Sequence, residues 1–171
     1  SERSSLHHSP AINVAWNAVS THTGISLDEI AHFDIYSCFP SAVQVACNEI
    51  GLSPLDPRGV TITGGLPCFG GPGNNYSLHA IAEMVATLRG AGAGNGLVTA
   101  NGLYLTKHSL GLYSTDPPTE PWQDIDSGAL QPVLGLGVTS LFFVALHAQY
   151  GFTPALLALL IVGLALGLLA R

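Results

Sequence analysis

The sequence predicts an α/β fold, with a mixed β-sheet covered by helices and an apolar helical hairpin at the C-terminus. Three observations lead to this prediction. Amphipathic helical segments alternate with short segments of strand character up to residue 89. Two consecutive strand-like segments then follow, as in a β-hairpin. Finally, residues 127–170 contain no Asp, Glu, Lys or Arg, which separates an apolar tail from the rest of the 171-residue chain.

The composition is that of an unusually apolar chain with few charges. Hydrophobic residues make up 47% and charged residues 9%, against about 25% charged residues in average soluble proteins, which excludes a disordered chain and a coiled coil. The formal net charge is −6 and there is no basic run, so we expect no nucleic-acid partner. Three cysteines without CxxC spacing predict neither a disulfide framework nor a metal site, and they suit a reducing cytoplasm.

The first predicted element is an amphipathic helix that begins at Pro10. Ser9 is a good N-cap, proline is favoured at the first helical position, and apolar residues recur at helical spacing until Gly24. Ser26 and Glu29 then have capping-box spacing and predict a short turn. The alternation of apolar and polar residues at 33–36 predicts a short buried strand after that turn.

A second helix and a second strand follow. The helix begins at Pro40 and ends at Gly51, and it places apolar residues, Cys47 among them, on one face. We interpret Cys47 as a packing residue for that reason. The loop at 52–59 leads into a predicted strand at Val60–Thr63.

The third helix and the hairpin complete the predicted sheet. The helix is expected at Tyr76–Arg89, with Gly90 as its stop signal. Two strands, Leu97–Ala100 and Leu103–Tyr113, are joined by Asn101 and Gly102, the dipeptide that is most favoured in two-residue turns. The order α, β, α, β, α, β, β favours right-handed crossovers between the parallel strands.

Two segments at the carboxyl ends of predicted strands are candidates for a ligand site. They are residues 36–39 and the glycine-rich run at 64–75. Gly70, Gly71 and Gly73 would allow the backbone to approach a ligand closely, and their amides would form a nest for an anion. The run lacks the GxxxxGK[ST] pattern, so a nucleoside triphosphate is not expected.

Polar side chains in these segments have both functional and structural interpretations. Cys38, at a helix N-terminus, is either a thiolate or a small buried hydrophobe. Asn74 and Asn75 either donate hydrogen bonds to an oxyanion or cap the third helix. Cys68 is ambiguous, and lone histidines such as His79 and His108 are more often structural than catalytic.

Three sequence segments together resemble the C-terminal half of the thiolase superfamily, in its acetyl-CoA acetyltransferase-like, sterol-carrier branch. They are DIYSCFPSAVQVA, TGGLPCFGGPGNNYSLHAIAEM and GLVTANGLYLTKHSLGLYST, and the resemblance covers residues 3–117. It implies a fold of two homologous α/β halves that commonly dimerise. It also implies acyl transfer on coenzyme A thioesters, through a cysteine that the N-terminal half supplies.

The sequence departs from the thiolase pattern at three catalytic motifs. Residues 36–39 are Tyr-Ser-Cys-Phe where the family has His, then Asp or Asn, then Cys or Ala, then Phe. Residues 70–72 are Gly-Gly-Pro where the family has Gly-His-Pro, and residues 100–102 are Ala-Asn-Gly where many thiolases have a catalytic cysteine. The base and the oxyanion hole that Claisen chemistry needs are therefore not assured.

The resemblance nevertheless implies a site and partners. Around a coenzyme A thioester substrate we place Cys38, Asn74, Asn75 and Asn101 as catalytic groups, with backbone contacts from the three glycines named above. No tightly bound cofactor and no metal are expected. The expected partners are acyl-CoA and an N-terminal thiolase half or partner subunit, in a homo- or hetero-oligomer. The leading interpretation is part of an acyltransferase that is inactive alone, and the alternative is a non-catalytic acyl-CoA-binding or partner-subunit module.

The predicted domains are a thiolase-like domain at 1–117, a linker at 118–129 and an apolar hairpin at 130–171. The tail contains two apolar runs of 18 and 17 residues, Leu130–His147 and Pro154–Ala170. Each is at the lower limit for crossing a hydrocarbon core of about 30 Å, so a transmembrane hairpin is favoured over two buried helices. We therefore expect a cytoplasmic protein with membrane contact through residues 130–170.

The tail also resembles a segment of the CPBP (CAAX-type) intramembrane metalloproteases. The motif is a Phe followed four residues later by a His, here Phe143 and His147. The paired glutamates and the second histidine of that family have no counterpart in the sequence, so the resemblance implies one metal ligand without partners. We therefore expect no protease activity.

Overall fold

Four helices and three strands make up the part of the chain that the structure, a computed structural model, describes, namely residues 5–118 and Pro121. In chain order the elements are α1 (Pro10–Thr23), β1 (Ile30–Asp34), α2 (Pro40–Ile50), α3 (Leu66–Phe69), α4 (Tyr76–Ala91), β2 (Asn95–Gly102) and β3 (Lys107–Ser114). Two 3₁₀ turns, Leu27–Glu29 and Gly73–Asn75, precede β1 and α4.

The strands form a mixed sheet in the order β1, β2, β3. β1 is parallel to β2, with Phe33 opposite Leu97, and β2 is antiparallel to β3, with Thr99 opposite Leu110. A parallel pair needs a crossover connection, and the chain between β1 and β2 contains α2, α3 and α4. The predicted mixed sheet with a parallel part and a hairpin is confirmed.

Helices cover both faces of this sheet. Side chains alternate along β2, so Leu97 joins a buried cluster with Ile12 and Trp16 of α1 and several residues of α2. Val98 points the other way and joins Tyr76 and Met84 of α4. The sequence prediction of a helix-covered sheet is confirmed on both faces.

The helix boundaries agree with the sequence except at the end of α4. α1 and α2 begin at their predicted prolines and end at glycines in the left-handed conformation, Gly24 and Gly51. The predicted stop at Gly90 is wrong, because α4 continues to Ala91 and ends at Gly92, whose φ is 78°. The N–H of Gly92 donates to the carbonyl of the buried Leu88, which stabilises the last turn.

The predicted strand at Val60–Thr63 is wrong, and β1 is displaced toward the N-terminus of its predicted range. The amide of Ile35 donates to the carbonyl of Val60 over 2.9 Å, which is the start of a strand pairing. The amides of Ile62 and Thr63 instead donate to the Asp34 carboxylate, over 3.2 and 3.1 Å. The Asp34 side chain therefore accepts the hydrogen bonds that a neighbouring strand would otherwise make with β1 at this edge of the sheet.

The predicted two-residue turn at Asn101 and Gly102 is also wrong. Both residues belong to β2 and pair with His108 and Lys107. The turn lies at residues 103–106, where Leu103 and Leu105 have φ values of 53° and 55°. Leu105 is buried in the core, so packing of this side chain offsets its left-handed backbone.

Membrane-spanning helices are predicted for the tail alone. Among residues 5–118, no helix combines the length and the hydropathy that crossing a bilayer needs. Apart from residues 118 and 121, the predicted linker at 118–129 and the predicted hairpin at 130–171 lie outside the described residues. The same holds for Phe143 and His147.

Candidate functional site

Three loops meet at the carboxyl ends of β1 and β2. The Ser37 hydroxyl in the 36–39 segment accepts a hydrogen bond from the Leu66 amide at the start of α3, over 2.9 Å. The next residue, Cys38, points its Sγ at the Asn101 Oδ1 at the end of β2, 3.5 Å away. The 36–39 segment therefore joins the glycine-rich run to the hairpin, and two of the predicted site residues are in contact.

The buried carboxylate of Asp34 connects several segments at this meeting point of the three loops, which we call the junction. Asp34, at the end of β1, is fully buried, and its Oδ1 accepts a hydrogen bond from the Tyr76 hydroxyl over 3.0 Å. Its Oδ2 accepts from the amides of Ile62 and Thr63 and from the hydroxyls of Thr61 and Thr63. Sequence reasoning missed this network. The signal was an acid at the end of an apolar strand, together with the closely spaced threonines at 61 and 63.

Tyr76 ties the start of α4 to the same junction. Its hydroxyl lies 2.6 Å from the Thr63 Oγ1, and its ring contacts those of Tyr36 and Phe69 edge-on, at centroid distances of 5.4 and 6.3 Å. Burial raises the pKa of the Tyr76 hydroxyl above its ordinary value, which keeps it protonated and able to donate. The N-terminus of α4 is thereby fixed against the 36–39 segment.

The glycine-rich run contains two kinds of glycine. Gly65 has a φ of 76°, and a Cβ there would lie 2.7 Å from the Ser37 hydroxyl, so the close approach of the two loops requires glycine. A Cβ at Gly70 or Gly73 would meet no atom within 4 Å, and one at Gly71 would meet only Leu66, at 3.8 Å. The three predicted ligand-binding glycines therefore border open space, but the Gly70 amide itself donates to the Leu66 carbonyl over 2.9 Å.

Asn74 and Asn75 lie in the exposed 3₁₀ turn before α4. Asn75 occupies the N-cap position but makes no side-chain cap bond. Its Nδ2 instead lies 3.0 Å from His79 Nε2, one turn along α4. Within residues 5–118 no hydrogen bond joins either asparagine to Cys38 or Asn101. The structure thus forms two groups, Cys38 with Asn101 and Asn75 with His79.

The three cysteines differ in environment. Cys47 is fully buried on α2, and burial raises the pKa of its thiol to about 11. Its predicted packing role agrees with this position. Cys68 is exposed on α3, whereas Cys38 is partly buried. Of the three, Cys38 alone makes a side-chain hydrogen bond to another predicted site residue.

A small cavity borders the Cys38–Asn101 pair. Its volume is about 10 Å³, and its lining includes Tyr36, Thr99, Asn101 and His108. That volume holds about one water molecule. Among the described residues, no cluster of three or more His, Cys, Asp or Glu side chains is positioned to hold a metal ion.

Comparisons with known proteins give matches among solved structures. No protein family and no curated protein matches the sequence. Among solved structures, the chain matches a monomeric SCP2-thiolase like protein type 1 from Mycobacterium smegmatis, with 48% identity and a TM-score of 0.70.

The match covers 76% of this chain but only 28% of the relative, so the chain spans about a quarter of that protein's length. None of the comparisons supports the resemblance of the tail to intramembrane proteases. By sequence and by structure, the mixed α/β region of this chain is similar to one segment of an SCP2-thiolase-like protein, and its fold is thiolase-like.

Proposed function

We propose that residues 5–118 form the C-terminal, acyl-CoA-binding segment of a thiolase-like acyltransferase, and that this chain alone does not turn the thioester over. The observation that carries the proposal is the 48% identity to an SCP2-thiolase-like protein over a fold of TM-score 0.70. The chain spans 28% of that protein, so a complete catalytic centre would include residues that the matched segment does not contain.

The Cys38–Asn101 pair is the proposed contact for the thioester group. Because Asn101 Oδ1 accepts from the Cys38 thiol, the Asn101 Nδ2 is the end of the amide that can donate to a thioester oxygen. One neutral donor is a weak oxyanion hole, and each missing donor lowers the rate of acyl transfer by about 10²- to 10³-fold. This supports binding without turnover.

The glycine-rich run is the proposed contact for the phosphates of coenzyme A. The exposed backbone at Gly70, Gly71 and Gly73 precedes α4, a helix of 16 residues whose N-terminus carries a partial positive charge. Asn74 and Asn75 belong to the same turn, and we place their amides beside the ligand in this proposal. Since no lysine or arginine lies in residues 64–75, we expect modest affinity.

Calorimetric titration of the full chain with acetyl-CoA and with coenzyme A tests the proposal. We expect both to bind and acetyl-CoA to bind more tightly, because only acetyl-CoA carries a thioester oxygen. Asn101→Ala should remove that difference and leave coenzyme A binding unchanged. Asn17→Ala is the matched control, since Asn17 is hydrogen-bonded to Asn13 on α1 and lies outside the candidate site. Absence of binding to either ligand at millimolar concentration would refute the proposal.

A non-catalytic binding or partner-subunit module is the second candidate. It is favoured by the Gly70-Gly71-Pro72 sequence, which has no imidazole, and by Ser37, whose hydroxyl is engaged by the Leu66 amide. Thiolysis of acetoacetyl-CoA separates the two candidates when the chain is mixed with an N-terminal thiolase half. Turnover above that of the half alone supports the acyltransferase, and an unchanged rate together with acyl-CoA binding supports the module.

Membrane association through residues 130–170 is a separate proposal that rests on the sequence of the tail. Alkaline carbonate extraction of membranes from cells that express the full chain tests it. Retention in the membrane pellet is expected. Complete release into the supernatant, as for the same chain truncated after residue 129, would refute it.

A further inference from the structure

The His108 side chain lies beside that of Asn101 on one face of the sheet. The two residues are paired directly across β2 and β3. In an antiparallel pair, the Cβ atoms of opposite residues are about 4.5–5.5 Å apart on the same face. Both residues also line the small cavity at the Cys38–Asn101 pair, together with Ile12 of α1 and Ala46 of α2. His108, which the sequence favours as a structural histidine, is therefore a direct neighbour of the candidate site.

Two hydrogen-bonding partners hold the His108 imidazole in place. Its Nε2 lies 2.9 Å from the Ser9 hydroxyl oxygen and 3.1 Å from the Leu105 carbonyl oxygen. A carbonyl oxygen can only accept, so Nε2 carries a proton. Ser9 is itself fixed, because its amide donates to the Glu49 carboxylate over 2.7 Å. A series of short contacts thus connects the end of α2, the start of α1 and the imidazole on β3.

The contact between Ser9 and His108 is not a nucleophilic serine–histidine pair. Ser9 is 2% exposed, so its hydroxyl cannot reach a substrate. The nitrogen that faces this hydroxyl is the protonated Nε2, which cannot act as a base toward it. The contact therefore fixes the position of the imidazole and does not activate the serine.

The hydrogen bond between Cys38 and Asn101 is a weak restraint on the Asn101 carboxamide. A thiol is a weak donor, and the Cys38 Sγ and Asn101 Oδ1 are 3.5 Å apart. A hydrogen-bond donor stabilises an oxyanion well only when its supporting contacts hold it in place before the substrate binds. The fixed imidazole of His108 occupies the adjacent cross-strand position and so limits the orientations that the carboxamide can adopt.

We propose that His108, fixed by Ser9, is a positioning residue that orients the Asn101 carboxamide toward the thioester oxygen and so sets the preference of this chain for acyl-CoA over free coenzyme A. The inference rests on the proposed function, in which Asn101 is the donor to that oxygen, and it adds the residue that supports the donor. A histidine that only stabilises the fold would change the affinity for both ligands together. A positioning histidine changes the affinity for the thioester alone.

Calorimetric titration of the full chain with acetyl-CoA and with coenzyme A is the test. One neutral hydrogen bond to the thioester corresponds to about a 3- to 10-fold preference of the wild type for acetyl-CoA. His108→Leu should remove this preference, as Asn101→Ala does, and leave the affinity for coenzyme A unchanged. His108→Gln should restore most of it, because the glutamine amide can donate to the Leu105 carbonyl as the imidazole does. Ser9→Ala should give an intermediate preference, since it removes one of the two partners of Nε2.

His32→Gln is the matched control. His32 lies on β1 of the same sheet and is paired with Gly96, five residues before Asn101 on β2, so this variant should keep the wild-type preference. NMR relaxation of the Asn101 side-chain amide, measured without ligand, should show greater motion in His108→Leu than in the wild type or in His108→Gln. Circular dichroism checks that each variant is folded, and if His108→Leu is not, Ser9→Ala decides the outcome.

An unchanged preference in His108→Leu and Ser9→Ala would overturn the inference, and so would equal weakening of both ligands. Loss of the preference in Asn101→Ala but not in the His108 variants would reject the positioning role and leave the proposed function standing. If neither ligand binds the wild type, the proposed function fails. The relaxation measurement needs no ligand, so it still reports whether His108 restrains Asn101.

Discussion

The buried Asp34 carboxylate should be among the costliest side chains of the fold to remove. It accepts five hydrogen bonds, one at Oδ1 and four at Oδ2, from the start of α4 and from residues 61–63. Asp34→Ala leaves the amides of Ile62 and Thr63 without acceptors in a partly buried segment. Each buried donor that is left without an acceptor costs about 1–3 kcal/mol, so we expect a loss of roughly 3–5 kcal/mol in the free energy of unfolding.

Asp34→Asn should cost much less, because the amide oxygen still accepts from residues 61–63 and its Nδ2 can donate to the Tyr76 hydroxyl, so that the main loss is the charge. Neutral hydrogen bonds are about half as strong as charge-assisted ones, so we expect a loss of about 1–2 kcal/mol. Tyr76→Phe removes the donor to Asp34 Oδ1 and the contact with Thr63 Oγ1, and should cost about 1.5–3 kcal/mol. Glu83→Ala, at an exposed position of α4, is the control and should change stability by less than about 0.5 kcal/mol.

Urea denaturation of the full chain, followed by circular dichroism, measures these differences. Hydrogen exchange adds a local readout, since the amides of Ile62 and Thr63 should lose protection in Asp34→Ala before the amides of β2 do. If Asp34→Ala costs less than about 1 kcal/mol, or no more than Asp34→Asn, the carboxylate does not anchor the segment and the reasoning fails.

Three further predictions concern single positions. Gly65→Ala should lower the free energy of unfolding by about 1–3 kcal/mol in the same urea assay, because the new Cβ would lie 2.7 Å from the Ser37 hydroxyl. Gly70→Ala is the control and should cost less, because its Cβ would meet no atom within 4 Å. Equal losses for the two variants would contradict the steric argument. At pH 8 Cys68 should react at once with a thiol reagent, while Cys47, with a pKa of about 11, should react only after unfolding. Hydrogen bonds from its arginine neighbour lower the pKa of Asp56 to about 2, so its contribution to stability is complete above its unfolded pKa near 3.8 and is lost as the pH falls toward 2. Asp56→Asn should flatten the stability profile in that range, and an unchanged profile would refute the assignment.

The sequence was most informative where local signals decide the structure. The Ser9-Pro10 start and the Gly24 stop of α1, and the Pro40 start and Gly51 stop of α2, all agree with the structure. The capping box of Ser26 and Glu29 is also present. These features depend on residues within one turn of each other, so a single sequence contains all the information they need.

The sequence failed where a distant side chain decides the structure. Residues 60–63 have strand character, but Asp34, more than 25 positions earlier, takes up the amides that a strand would pair. Asn101 and Gly102 favour a tight turn, but burial of Leu105 places the turn at residues 103–106 instead. Neither contact can be read from local pattern, because each depends on the assembled core.

The candidate site divides in the same way. Cys38 and Asn101, which the resemblance placed in one site, are in contact at the carboxyl ends of β1 and β2, the edge at which open α/β sheets bind ligands. Asn75 contacts His79, which lies four residues further along α4, a spacing at which helical side chains meet. Spacing alone does not favour this pairing over an N-cap. Which of two nearby partners a side chain binds depends on the folded structure and not on the local sequence alone.

The carboxylate that accepts hydrogen bonds from the amides of Ile62 and Thr63 also affects how this protein behaves in a crowded solution. Exposed borders of β-sheets recruit strands from other molecules, and this recruitment is how many proteins aggregate and form amyloid. Beside β1, an invading strand would have to displace a buried anion together with the threonine hydroxyls and the tyrosine that it binds. Asp34 thereby protects the β1 edge of the sheet against the addition of strands from other molecules. Residues 61–63 bind this aspartate and do not form a regular strand there.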